Sequence, residues 1–217
     1  EYRLNRMPEF TGANYMEIPF TPQLNTPRFT VAVWVNASLL NSTWQRIVFS
    51  RSVSGSNAFG YILYIDNTNS WYLEIRDGDA TGIVVTGSSV VSNTWTHIVV
   101  KCDGVTNKLY ENGSYVSEAA GILSINASDN MTIGENFTGK LYDFRYYDHA
   151  LTETEITDIY ANNAIFGDEV LRMPLSGKSV TRAIGQGGGA VNGEFNGSTD
   201  YYEISYTPTL NTPQFTV

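Results

Sequence analysis

Oxygen ligands gathered in turns are the first chemistry this sequence offers. Asp66-Asn67, Asp77-Gly78-Asp79, Asp129-Asn130 and Glu135 supply carboxylates and amides of the kind Ca²⁺ collects, about six to eight oxygens at a time. Asp66, Asp77 and Asp79 are therefore candidate calcium ligands, although the same residues also build turns with no ion present. A second chemistry is aromatic. Trp44, Tyr61, Tyr64, Trp71 and Tyr72 fall in the middle of the chain and are candidate ligand contacts, since a pyranose ring stacks on an exposed aromatic face. Alternation sends about half of these rings into a core. Trp34 and Trp95 read as core, and Trp44, after Asn41-Ser42-Thr43 in a loop, is the best exposed aromatic.

Catalytic groups are few. Glycoside hydrolysis needs two carboxylates facing one cleft, whereas Glu74 and Asp77 stand three apart and so on opposite faces of a strand. His97, beside Trp95 in an apolar run, reads as a satisfied structural histidine. His149, next to Asp148, reads as a cap or surface group. Cys102 ends the run Ile98-Val99-Val100-Lys101 and reads as a buried, inert thiol; being the one cysteine, it forms no intrachain disulfide. The expectation is a protein without catalysis.

The elements that must carry these residues are short and alternating. Strands are expected at Tyr15–Phe20, Phe29–Asn36, Arg46–Arg51, Tyr61–Asp66, Trp71–Arg76, Gly82–Thr86, Thr96–Asp103, Lys108–Glu111, Asn130–Ile133 and Gly139–Tyr147, each bounded by Gly, Asn, Asp or Ser. Asp103-Gly104 and Asn112-Gly113 mark hairpins. One helix is expected over Leu151–Ala161, opened by the capping box Thr152-Glu153-Thr154-Glu155, with Ile156, Ile159 and Tyr160 on its packed face. The fold class is all-β, an antiparallel jelly-roll sandwich with one short C-terminal helix.

Composition narrows the partners. Of 217 residues, 42% are hydrophobic, enough for a sizeable core, and only 16% are charged. A net charge of −9 argues against nucleic acid, whose phosphates require a basic stripe, and gives no support for an anionic membrane surface. Neither a signal peptide nor an apolar run of about 20 residues occurs, so no membrane insertion is expected.

The chain also repeats itself. Tyr15–Val31 (YMEIPFTPQLNTPRFTV) returns 186 residues later as Tyr201–Val217 (YYEISYTPTLNTPQFTV), with twelve of seventeen positions identical. Glu9-Phe10-Thr11-Gly12 is likewise answered by Glu194-Phe195-Asn196-Gly197. A spacing that long is a whole domain rather than a solenoid repeat. Residues 1–165 are read as one unit, and residues 166–217 as the opening strands of the next, starting with a strand over Asp168–Pro174. Neighbouring copies of the repeat are thus expected partners.

Phe10–Ile18 followed by Phe29–Val35, the run Trp95-Thr96-His97-Ile98-Val99-Val100 with Asp103-Gly104 and Lys108–Gly113, and the closing stretch Thr132–Ile156 occur in the order seen in laminin-G-like domains of the concanavalin A-like superfamily, which the chain resembles from Phe10 to Asn162. The resemblance implies a jelly roll that binds sugars or proteins or spaces other domains. It also implies a calcium ion at the sandwich rim, but the expected acidic position is replaced near Asn57–Gly60; an alternative pairs Asn14 with Asp143. The carboxylate set Glu-x-Asp-x-x-Glu of the superfamily's glycosidases is missing. Such domains begin with a strand like Val170–Gly177, then a glycine-rich loop; the first copy keeps only Leu4–Pro8, running directly into Glu9. The tail from Asp168 is accordingly expected to complete the sheet of a neighbouring unit by strand addition.

Seven Asn-x-Ser/Thr sequons, at Asn36, Asn41, Asn112, Asn126, Asn130, Asn136 and Asn196, are candidate glycosylation sites. Together these features describe an extracellular module, secreted or on a virion surface, that adheres to glycans or cell-surface glycoproteins. The alternative is a structural repeat of a filament assembled head to tail.

Overall fold

Runs of Val, Ile, Tyr and Phe with polar residues at every second place become strands whose two faces meet different surroundings. In the computed structural model, residues 9–54, 57–78 and 82–175 are described, and they form two antiparallel sheets. One sheet carries β1 (Glu9–Thr11), β3 (Phe29–Ala37), β8 (Trp95–Cys102), β9 (Thr106–Glu111), β10 (Ser114–Ala120), β12 (Thr138–Tyr147) and β13 (Leu171–Met173). Its order is β1-β12-β3-β8-β9-β10, with β13 on β12 as well. The other carries β2 (Met16–Ile18), β4 (Gln45–Ser54), β5 (Asn57–Ile65), β6 (Ser70–Asp77), β7 (Ile83–Ser89) and β11 (Met131–Ile133), ordered β2-β11-β4-β5-β6-β7. The core lies between them: Phe29, Val31, Val33 and Val35 of β3 and Ile98 and Val100 of β8 meet Tyr61, Leu63 and Ile65 of β5 and Trp71, Leu73 and Ile75 of β6.

Each foreseen strand is present, and most run longer than the sequence suggested. Two were not foreseen. β1 is three residues long, and β10 is an exposed edge strand whose side chains lack alternation. The Asn112-Gly113 hairpin forms as expected, both residues taking positive φ. The strand expected over Asp168–Pro174 forms at Leu171–Met173 and pairs with β12, with Phe144 opposite Met173 and Tyr146 opposite Leu171. Residues 176–217, which hold the recurrence and Asn196, lie outside the described residues, as does Asp79.

The helix, α1, spans Glu153–Asn162. Thr152 accepts from the Glu155 amide, while the Glu155 carboxylate takes the Thr152 N–H at 2.7 Å. Asn163 closes the helix in the left-handed region at φ 50°. Ile156 and Ile159 pack with Ala32, Val99, Tyr110, Tyr147 and Leu151 on the outer face of the first sheet. This overturns the reading of Trp34 and Trp95 as core: both are half-buried, and Trp34 lies on the helix side, its ring 5.6 Å from Tyr160.

His97 sits between those rings, 5.0 Å from Trp34 and 5.9 Å from Tyr160, and Nδ1 has no hydrogen-bond partner. It is buried as expected, but it is not satisfied at that atom. Burial, with the nearby Arg145 charge, depresses its pKa from 6.5 to about 4. Below pH 6.5 the unfolded chain gains a proton that the folded one refuses, so stability drains away as pH falls from 6.5 towards 4. The full loss is about 3 kcal/mol. Thermal melts of His97→Phe across this range are expected to show a shallower decline than wild type. Parallel curves would remove His97 as the cause.

Candidate functional site

Among the described residues no helix covers the outer face of the second sheet, and alternation decides what it displays. Along β5, Tyr61, Leu63 and Ile65 point into the core, so Gly60, Ile62 and Tyr64 point out. Across the ladder, Tyr64 stands between Arg46 and Tyr72, Ile62 between Phe49 and Glu74, and Gly60 between Arg51 and Arg76. From Tyr64 to Gly60 the strand advances four residues, about 13 Å.

One end of this strip is aromatic. Trp44 is 54% exposed. Its ring lies 4.9 Å from Tyr64 at 30°, and Tyr64 lies 5.5 Å from Tyr72 at 19°. Tyr64 is buried under this stack, and its hydroxyl donates to Glu74 at 3.5 Å. Burial first, and the Glu74 charge next, push its ionisation upward, so it remains a neutral donor.

The other end is charged. Glu74 takes the Arg76 Nε–H at 2.5 Å and a longer bond from Arg51 Nη1 at 3.5 Å. Burial, followed by the facing Arg76 charge, lowers the Arg51 pKa, and Arg51 Nε has no hydrogen-bond partner. Gly60 is required between the two guanidiniums: its φ is +103°, and a Cβ there would meet the Ser50 carbonyl at 2.0 Å. With no side chain on it, the strip has a shelf at that point. Arg46 lies 4.5 Å over the Phe49 ring and pairs with Glu135.

Three of the five aromatic candidates, Trp44, Tyr64 and Tyr72, therefore meet. Tyr61 and Trp71 do not, and this corrects their reading as ligand contacts. Tyr61 is 2% and Trp71 1% exposed, on the core side of their strands, with Tyr61 stacked 4.3 Å from Phe29. The sequence reading missed Arg51 and Arg76. The signal was present in Tyr72-x-Glu74-x-Arg76, whose spacing of two puts all three on one face.

The calcium candidates are not brought together. Asn14 is spent on its own turn, its Oδ1 accepting from the Thr11 N–H and hydroxyl and its Nδ2 donating to the Glu9 carbonyl. It lies by the Thr11–Thr138 pair of the β1–β12 ladder, five residues and about 16 Å along β12 from Asp143. The 2%-exposed Asp143 carboxylate pairs with Arg145 and with Arg172, the latter at 2.8 Å. Asp66 is buried and holds the Thr68 and Ser70 amides and the Thr68 hydroxyl. Asp77 is exposed at the end of β6. Among the described residues no three His, Cys, Asp or Glu side chains converge, and Asn14, Asp66 and Asp143 spend their oxygens on protein donors. Of the sequons, Asn41, Asn112, Asn130 and Asn136 are exposed and Asn36 is half-buried. Asn126 is 1% exposed and binds Ser128, Asp129 and Ser50, which removes it as a glycan acceptor in the folded chain.

A shallow groove of about 610 Å³ opens beside the β4–β5 hairpin, lined by Pro27, Phe59, Leu123 and Ile125 among others, and it carries no titratable group.

With this geometry in hand, comparison with known proteins is informative. A family model described as the concanavalin A-like lectin/glucanases superfamily matches residues 10–157. Mouse (Mus musculus) usherin is 22% identical over 161 residues, 65% of this chain and 3% of usherin, so the chain spans a small fraction of that protein. Among solved structures, the CBM40 of a Ruminococcus gnavus sialidase, bound to α2,3-sialyllactose, superposes with a TM-score of 0.56 at 15% identity, covering 70% of this chain and 95% of that one. The receptor-binding domain of botulinum neurotoxin type G gives 0.52 at 16% identity, covering 64% and 38%. A SAP-like pentraxin of Limulus polyphemus gives 0.50 at 15%, covering 72% and 82%. At these identities the likeness is one of fold.

Asp143→Asn leaves the fully buried Arg145 uncompensated and is expected to destabilise the chain by about 3 kcal/mol in chemical denaturation. Excess Ca²⁺ or EGTA is expected to leave the wild-type Tm unmoved. A rise with Ca²⁺ would reveal a site that these carboxylates do not form.

Proposed function

Because the chain belongs to the concanavalin A-like lectin/glucanases superfamily, we propose that it is a non-catalytic carbohydrate-binding module, taking its sugar on the outer face of the second sheet. One observation carries this reading. An exposed Trp44 is held flat by a Tyr64–Tyr72 stack, next to hydrogen-bonding Glu74, Arg51 and Arg76. A sugar ring presents an apolar C–H face that stacks on such a platform, while its hydroxyls seek charged or amide groups at the edge. The strip's length of about 13 Å suits a disaccharide. That a CBM40 of the same fold is seen with sialyllactose supports the class of ligand. The partners in this reading are glycans or cell-surface glycoproteins, and the setting is extracellular. Asn41, Asn112, Asn130 and Asn136 are the glycosylation sites available to it.

Trp44→Ala tests the proposal. With over half of its surface in water, Trp44 contributes little to folding, so stability is expected to change by under about 1 kcal/mol. Affinity for whichever glycans the wild type captures on an array is expected to drop about tenfold or more. Undiminished binding by this variant would place the sugar elsewhere. An array with no captured glycan would favour the second reading, a structural repeat, which β13 supports.

A further inference from the structure

The edge of β12 has two claimants. β1 pairs with its first part, Glu9 opposite Lys140 and Thr11 opposite Thr138, and β13 holds a later part, Tyr146 to Phe144. The β1 register, continued towards the N-terminus, would reach the stretch that β13 covers. Yet Arg172-Met173-Pro174 matches Arg6-Met7-Pro8, the residues that lead into β1. By sequence, then, β13 is the leader of the second copy; by pairing, it closes the sheet of the first.

The attachment is built, not incidental. Leu171, Met173 and Leu175 are 5–7% exposed and belong to the main core. A bulge between Tyr142 and Arg145 puts Asp143 at φ 50° and turns its N–H to the Pro174 carbonyl at 3.0 Å, while the Val170 N–H reaches the Tyr146 carbonyl at 2.9 Å. On the outer side Arg172 Nε meets the buried Asp143 carboxylate at 2.8 Å. The two copies also differ in the piece that permits the exchange. Pro8 abuts Glu9, whereas Leu175–Gly193, with Gly187-Gly188-Gly189, separates Pro174 from the matching Glu194. That separation lets a leader remain with the preceding unit while its own unit begins at Glu194.

We infer that the segment Val170–Leu175 is a shared strand: in units arranged in series, the leader of each completes the sheet of the one before. The partner is a second copy of this same domain, joined through a buried β-pairing and an ion pair in place of a free linker. This inference does not depend on glycan binding.

The test uses a two-unit chain. Val217 corresponds to Val31, so residues 32–175 appended after Val217 complete the second copy. Phe144 and Met173 are directly opposite and both face the core, and facing Cβ atoms in such a register lie within reach of a disulfide. With Phe144→Cys and Met173→Cys in the first unit alone, mild oxidation is expected to cross-link nearly all molecules. Thiols that stay free, because the leader has returned to its own unit, would overturn the inference. If the cysteine pair prevents folding, a crystal structure of the unsubstituted two-unit chain reads the pairing directly. Leu171 and Met173 on the first unit's β12 sustain the proposal, and their presence on the second unit's β12 ends it.

Discussion

A carboxylate held between two guanidiniums governs how this sandwich closes. Arg145 is fully buried in mid-sheet, and a lone cation there would cost several kcal/mol in lost hydration. Asp143 answers it from two residues away on the same strand, at the point where β12 bulges. The remaining Arg145 donors reach Asn163 and the Ala164 carbonyl, just past α1, and Arg172 approaches the same carboxylate from β13. One charge cluster thus ties together the last long strand, the end of the helix and the edge strand. Burial pulls the Arg145 pKa down, but the hydrogen bond and charge of Asp143 outweigh it and keep the cation in place. Removing Asp143 leaves Arg145 stranded in a medium of low polarity.

The two sheets consequently have unlike outer faces. On the first, α1 and a second apolar cluster cover Ala32, Val99 and Tyr147, and the rings of half-buried Trp34 and exposed Tyr160 flank His97. On the second nothing helical intervenes among the described residues, and the stack that runs from Trp44 to Tyr72 meets solvent. Helix placement therefore decides which aromatic residues are structural and which are available. Trp34 and Trp44 lie ten residues apart and end up in different surroundings, the first half-buried beside α1 and the second 54% exposed.

Much of the architecture was legible because it is local. Alternation in Phe29–Val35 or Trp71–Arg76 is set by the strand period, the capping box by four consecutive residues, and the Asn112-Gly113 turn by the tolerance of both residues for positive φ. β10 escaped notice because its sequence, Ser-Tyr-Val-Ser-Glu-Ala-Ala, carries no alternating apolar signal. Tyr61 and Trp71 were misjudged for a different reason. Composition marks an aromatic as a possible contact, but only the phase of its strand says which face it occupies, and Tyr64 and Tyr72 won that phase. Asp66 and Asp143 looked like metal ligands because a carboxylate's type is visible in sequence and its existing partners are not.

By itself the sequence determined the all-β class, the capped helix, most of the strands, the recurrence of the opening segment and the family resemblance, since each rests on neighbours within a few residues or on direct identity. Only the tertiary structure decided that Trp44, Tyr64, Tyr72 and Glu74 share one strip, that Asp143 is consumed by arginines 2 and 29 residues away, and that Leu171–Met173 pairs with β12. Those outcomes depend on ladder register and on which edge a strand finds unpaired. Both are set by contacts between segments distant in the chain, about which no local pattern carries information.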